Sequence, residues 1–225
     1  MKVKYIRWSF VSLLGFVMLL GVLLPGPMTL GASATWTNGD YRFAGGTHPV
    51  ALGFAVSFAA LYFVLIFVDP PEVAGVLPGV VRRFFAFWFD FIIAMMVMGP
   101  VFGILATILE WRRTGIFVWM FERETLASTD IVITTGGALL VFVVLLFYFS
   151  LPLMRRRPSP GSCITGYQVM PDEGATLTLS GAIFRTIVGF FAMSMWPLTP
   201  FIARQRKKGK IWVDRAFRTH AVRLR

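Results

Sequence analysis

The chain has 225 residues, of which 56% are hydrophobic and 15% charged, and its mean hydropathy is +0.71. This composition excludes an ordinary soluble domain and predicts an integral membrane protein. The net charge of +11 would suggest nucleic acid in a soluble chain, but no aromatic-and-basic recognition module is present, so no nucleic acid partner is expected.

The basic residues form short clusters beside apolar runs, which is typical of loops that meet anionic lipid headgroups at the cytoplasmic face. They predict a multi-pass protein of the bacterial cytoplasmic (inner) membrane with a cytoplasmic N-terminus. The lone cysteine excludes an internal disulfide, and the two histidines lie far apart, so no cofactor and no metal site is expected. The clusters are Lys2, Lys4, Arg7; Arg82, Arg83; Arg155, Arg156, Arg157; Arg204, Arg206, Lys207, Lys208, Lys210.

The first apolar run covers about residues 5–24 and nearly fits a full span. The downstream Ala32-Ser33-Ala34 matches a signal-peptide cleavage site, so residues 1–34 are either a cleaved signal or an uncleaved first helix. The length of the run favours the uncleaved helix. In the following Gly-rich loop, Asn38-Gly39 predicts a tight hairpin with a type I′ turn on the outer face.

The second and third spans are predicted at about residues 49–68 and 84–109. At the start of the third span, Arg83, Ala86 and Asp90 share one helix face. A carboxylate at this depth persists only if it is paired, hydrated or protonated, so Asp90 is the first candidate functional residue. Arg83 is about 10 Å away along the helix axis, which makes Arg185 the better ion-pair partner.

Residues 110–130 mix charges of both signs, and an apolar stretch at 116–121 is predicted to lie along the outer interface. The fourth span follows at about 131–153. Two strand-like stretches, 164–170 and 175–179, with turn chemistry between them, predict a small cytoplasmic β-hairpin.

The last apolar stretch, residues 182–203, precedes a strongly basic tail. A fifth full span would place that tail outside, whereas a re-entrant segment bending near Trp196-Pro197 would return it to the cytoplasm. The predicted fold is an all-α polytopic membrane protein with four transmembrane helices, a bent or re-entrant fifth segment and the small hairpin.

Three groups of residues, taken together, resemble the motifs of the RDD family of bacterial membrane proteins. The first is Arg83, Ala86 and Asp90, and the last is an aspartate followed by a threonine and a valine. The middle group is a glycine-rich turn before a strand and a later arginine, with Ser162 where the family usually carries lysine. The remaining motif residues are Gly161, Gly166, Val169, Gly174 and Arg185; and Asp214, Thr219 and Val222.

The resemblance covers about residues 79–225. Residues 1–78 then form an N-terminal two-helix membrane extension with an outer-face loop. The resemblance implies a transport-linked membrane protein, with monovalent cation/proton exchange as one activity described in the family. It also singles out Asp214 and Thr219 as a cytoplasmic motif.

Two functions stay open. In the first, the chain transports a small cation or solute, Asp90 binds the ion or proton, and Arg83 and Arg185 modulate its charge. In the second, Asp90 is part of a structural ion pair, and the chain is a non-transporting accessory or scaffold subunit. A homo-oligomer or a larger membrane complex is expected in either case. No Ser/His/Asp or phosphate-loop arrangement is present, so the chain is not expected to be an enzyme.

Overall fold

The computed structural model of the chain describes residues 3–23, 31–37, 40–69, 72–74, 78–123, 128–172, 177–194 and 212–224. Within these residues, four helices are long and apolar enough to cross a membrane, which confirms the predicted four-span fold. Three shorter helices follow. The helices are α1 (Val3–Leu23), α2 (Pro49–Phe67), α3 (Val80–Thr114), α4 (Ser128–Met154), α5 (Pro160–Thr165), α6 (Leu179–Ser194) and α7 (Trp212–Ala216).

In the described part of the chain, six short strands accompany the helices and form two antiparallel three-stranded sheets. The first sheet has the order β1-β2-β4, and the second has the order β3-β6-β5. The strands are β1 (Gly31–Thr37), β2 (Asp40–Gly46), β3 (Val73–Ala74), β4 (Met120–Arg123), β5 (Tyr167–Pro171) and β6 (Thr219–Leu224).

The chain divides into two compact units, and each of the four long helices contributes to both. Unit 1 comprises Met1–Leu13, Leu61–Ile93 and Leu145–Arg225, and unit 2 comprises Leu14–Ala60 and Ala94–Val144. The predicted division into residues 1–78 and 79–225 concerns segments of the chain and stays a prediction.

Unit 2 contains the first sheet, in which β1 and β2 form the hairpin that the sequence predicted. Thr37 lies opposite Asp40, which leaves the two-residue loop expected for Asn-Gly, although residues 38 and 39 themselves lie outside the described residues. The stretch predicted at the interface is only partly as expected, because Met120 and Phe121 belong to β4 and extend this sheet.

Unit 1 contains the second sheet, in which β5 has a partner that the sequence did not predict. β5 pairs with β6 from the C-terminal end of the chain, with Val169 opposite Ala221. Of the segment expected as the second strand, 175–179, residues 175 and 176 lie outside the described residues, residues 177 and 178 are in no strand, and Leu179 already begins α6. A strand can pair with any segment that folding brings to its edge, and the neighbouring turn chemistry favoured the local partner.

The strand predicted at 164–170 also begins too early, because Ile164 lies in α5. Ser159 caps this helix and accepts a hydrogen bond from the Ser162 N–H, Pro160 opens it, and Gly166 ends it in the left-handed conformation at φ 73°. These are the standard signals at the two ends of a helix.

Within the predicted fifth segment, α6 is a shorter apolar helix of 16 residues. The proposed bend near Trp196-Pro197 and the basic residues 204–210 lie outside the described residues. The motif residue Asp214 lies in α7, which ends at Ala216, and Thr219 begins β6.

Candidate functional site

Asp90 lies on α3 in unit 1, is 3% exposed, and accepts three hydrogen bonds. The Ser159 hydroxyl donates to Oδ2 at 2.6 Å, and the Gly161 N–H donates to Oδ1 at 2.7 Å. The Tyr148 hydroxyl donates to Oδ1 at 3.3 Å. These donors supply the polar surroundings that a carboxylate needs inside an apolar helix.

The contact between α3 and α5 depends on small residues on both sides. A Cβ atom built at Gly161 would overlap the Ala86 carbonyl oxygen and would come within 2.8 Å of the Asp90 backbone nitrogen. Ala86 is fully buried and packs in a cluster with Tyr167 and Ala221. The Arg-Ala-Asp motif on α3 therefore has a packing position between its two charged positions.

The two motif arginines, Arg83 and Arg185, both bind Asp214, which is fully buried in α7. Arg83 Nη1 donates to its Oδ2 at 2.5 Å, and Arg185 Nη2 donates to its Oδ1 at 2.8 Å. Arg185 Nε also donates to Thr219 Oγ1 at 3.1 Å. The structure thus brings Arg83, Arg185, Asp214 and Thr219 into one buried network.

This arrangement differs from the sequence prediction, which placed Arg83 and Arg185 as the charge partners of Asp90. Their ion pairs are with Asp214, because α7 places that carboxylate between α3 and α6. The return of a segment more than a hundred residues away could not be inferred from helix spacing. An effect of the two arginines on the charge state of Asp90 stays a prediction.

A cavity of about 130 Å³ reaches Asp90. Its polar lining includes the two arginines of the network, Arg157 just after α4, and Ser159 and Ser162 from the start of α5. A volume of this size holds several water molecules. Asp90 therefore lies next to a partly polar space inside unit 1.

Hydroxyl groups continue from Asp90 along this cavity. Ser159 Oγ and Ser162 Oγ are 2.8 Å apart, and Tyr167 also lines the cavity. Burial raises the pKa of Tyr167, so its phenol remains protonated and can donate. Ser162 therefore extends the chain of hydroxyl groups that begins at Ser159.

Sequence reasoning missed Tyr148, Ser159 and Gly161 as the direct partners of Asp90. The Ser159-Pro160 pair was a usable helix-start signal, and a helix start offers N–H donors to a carboxylate. Tyr148 carried no such signal, because one tyrosine inside an apolar span is not distinguished by its spacing.

Unit 2 has its own buried charged cluster, formed by residues that the sequence showed only as a mixed-charge stretch. Arg123 forms ion pairs with Asp130 and, at 3.6 Å, with Glu110. Arg113 donates to Glu110 at 2.6 Å, and the Arg123 guanidinium lies 5.0 Å from the centre of the Phe43 ring. These contacts join β2, β4, α3 and α4, so we interpret the cluster as structural.

Cys163 lies in α5, is fully buried, and offers a direct test of how tightly this region is closed. Burial raises the pKa of its thiol to about 12. We expect a maleimide to label the folded protein slowly between neutral pH and about pH 9, whereas the denatured chain should label with the pH dependence of an ordinary thiol of pKa about 8.5.

The raised pKa of Cys163 also makes the free energy of unfolding depend on pH. Burial of the neutral thiol stabilises the folded state fully below the unfolded-state pKa of about 8.5, and this stabilisation is lost as the pH rises towards the folded-state pKa. Because Cys163 is the only cysteine, the labelling signal needs no cysteine-free background. Labelling of the folded protein at the rate of the denatured chain would contradict the closed arrangement.

The comparisons with known proteins agree with the motif residues described above. No curated protein and no solved structure matches the chain. A family model, that of the RDD family, matches residues 77–218. This range contains Arg83, Asp90, Arg185 and Asp214, whereas Thr219 follows its end. Since the match covers more than half of the sequence, the chain belongs to the RDD family of membrane proteins.

Proposed function

We propose that the chain is a membrane transport protein in which Asp90 takes up and releases a proton while a small solute crosses. The observation that carries this proposal is a carboxylate, 3% exposed, on an apolar helix and beside a cavity of about 130 Å³. Ionisable groups at such positions are costly and are commonly part of ion or proton pathways.

The hydrogen bonds of Asp90 accommodate both of its protonation states. Oδ1 accepts from the Gly161 N–H, which can only donate. Oδ2 faces the Ser159 hydroxyl, which can either donate or accept. A proton on Oδ2 would donate to Ser159 Oγ, and the Ser159 hydroxyl would then donate to Ser162 Oγ. Proton uptake therefore needs only the rotation of hydroxyl groups.

The transported solute has to be compatible with the charges around the cavity. The family resemblance implies a transport-linked membrane protein, and monovalent cation/proton exchange is one activity described in the family. However, Arg83, Arg157 and Arg185 line the cavity, and like charges repel a cation there. Transport assays should therefore include anions as well as cations.

We also propose a bacterial inner-membrane location with the N-terminus in the cytoplasm. In support, three described basic clusters, around Arg7, at Arg82-Arg83 and at residues 155–157, all belong to unit 1, which is the distribution expected for a cytoplasmic side. Four or five helices seldom enclose a path alone, so we propose that the chain works as a homo-oligomer or in a larger complex.

The proposal is tested by flux into proteoliposomes under an imposed pH gradient. Asp90→Asn should abolish proton-coupled flux, because the amide keeps the size of the side chain but does not take up or release a proton at the pH values of the assay. Glu122→Gln is the matched control, since this carboxylate is 60% exposed and should leave flux unchanged. Wild-type protein that gives no flux above empty vesicles, for cations and anions at several pH values, would refute transport.

The alternative is a non-transporting accessory or scaffold subunit, and one observation favours it. Three hydrogen bonds join Asp90 on α3 to Tyr148 on α4 and to Ser159 and Gly161 at the start of α5, as in a static link between helices. In this case Asp90→Asn would change stability alone, and a fixed partner would co-purify in stoichiometric amount.

A further inference from the structure

We infer that the cavity beside Asp90 binds a phosphate-class anion, either free or as the headgroup of an anionic phospholipid. This goes beyond the proposed function, because binding does not require transport. The inference rests on the charge of the cavity wall, on an unsatisfied guanidinium nitrogen and on the position of the cavity along the helices.

The net charge of the cavity wall is positive. Arg83, Arg157 and Arg185 line the cavity and contribute three positive charges. Asp214 bridges two of these arginines and Asp90 lines the cavity, so two carboxylates among the described residues oppose them. One positive charge remains when Asp90 is ionised, and two remain when it is protonated.

The two carboxylates also have little capacity left for a cation. Asp90 already accepts three hydrogen bonds, and both oxygens of Asp214 accept from guanidinium groups. A cation site would need oxygen ligands that are not already used in this way. The wall therefore favours a negatively charged ligand.

Arg157 provides the donor that the protein leaves open. Its Nε donates to the Ile66 carbonyl at 3.4 Å, while its Nη1 is buried and has no hydrogen-bond partner among the residues that the structure describes. An unmade hydrogen bond from a buried charged donor is costly. Guanidinium groups match the oxygens of phosphate closely, so an anion in the cavity would remove that cost.

Two of the cavity arginines lie near the ends of membrane-spanning helices, where the headgroup of a phospholipid would be found. Arg83 lies near the start of α3, Arg157 follows the end of α4 by three residues, and both belong to unit 1. The other side of the cavity is aromatic, with Phe87, Phe149 and Phe190 packed at centroid distances of 5.0–6.2 Å. A phospholipid would place its phosphate at the arginines and its glycerol against this apolar side.

The test measures thermal stabilisation of the purified full chain in detergent. One series adds inorganic phosphate against sodium chloride at equal ionic strength, and a second adds phosphatidic acid against diacylglycerol, which lacks the phosphate. Stabilisation by inorganic phosphate identifies a free anion as sufficient, and stabilisation by phosphatidic acid alone identifies a headgroup. Stabilisation by neither, beyond its control, would overturn the inference.

Arg157→Gln should weaken the apparent affinity about tenfold or more, as expected when one charge-assisted hydrogen bond is lost. Arg157→Lys should fall between this variant and the wild type, because it keeps the charge without the planar fork. Arg155→Gln is the matched control. Its guanidinium is exposed, lies 5.2 Å from the centre of the Phe67 ring and does not line the cavity.

An equal loss of apparent affinity in Arg155→Gln and Arg157→Gln would indicate general attraction of the anion to a basic surface and would overturn the proposed site. The binding measurement does not depend on whether the protein transports a solute. Binding without flux refutes the proposed function alone, and flux without binding refutes this inference alone.

Discussion

Asp214→Asn is expected to destabilise the protein by about 3–5 kcal/mol. The carboxylate is fully buried and is bonded to Arg83, which is only 4% exposed, and to Arg185. Removing the negative charge leaves two largely buried guanidinium groups without their compensating partner. Denaturant or thermal unfolding in detergent, followed by tryptophan fluorescence, measures the change in the free energy of unfolding.

The matched control for this substitution is an exposed ion pair of the same chain. Arg42 and Glu122 are 3.6 Å apart, with side chains 63% and 60% exposed, so Glu122→Gln should cost less than about 1 kcal/mol. The double variant Arg83→Gln with Asp214→Asn should be less destabilised than the sum of its single variants. Additive losses, or equal losses at Asp214 and Glu122, would show that the buried network is not a coupled unit.

Gly161→Ala is expected to cost about 1–3 kcal/mol from overpacking alone. The added methyl group would occupy the position of the Ala86 carbonyl oxygen and would lie 2.9 Å from the carboxyl carbon of Asp90. To accept it, α5 must move away from α3, and the 2.7 Å hydrogen bond from the Gly161 N–H to Asp90 must lengthen. The free energy of unfolding reports the cost, and labelling of Cys163 should become faster.

Gly53→Ala is the opposite case and serves as the control. A Cβ atom at Gly53, inside α2, has nothing within 4 Å. The substitution should therefore stabilise the helix by about 0.5–1 kcal/mol through the reduced backbone entropy of the unfolded chain. If both alanine variants shift stability in the same direction, the close approach of α5 to α3 does not limit stability.

The sequence by itself determined the membrane class, the four spans and the existence of a hairpin around Asn38-Gly39. These features depend on local properties, namely the length of an apolar run and the turn preference of Asn-Gly. It also identified Asp90, since one acid in an apolar helix is visible without a structure. The C-terminal end of the third span was less well predicted, because Arg112 and Arg113 were assigned to the mixed-charge stretch after the span, whereas α3 includes them.

Only the tertiary structure decided which groups meet. Asp90 bonds to α5 rather than to an arginine, both arginines meet at Asp214, and β5 pairs with β6. Each of these contacts joins segments that are far apart in sequence, and helix or strand periodicity constrains neighbours within one element only. The number and type of the spans therefore follow from local chemistry, whereas the partners of a buried charge are set by the return of distant segments.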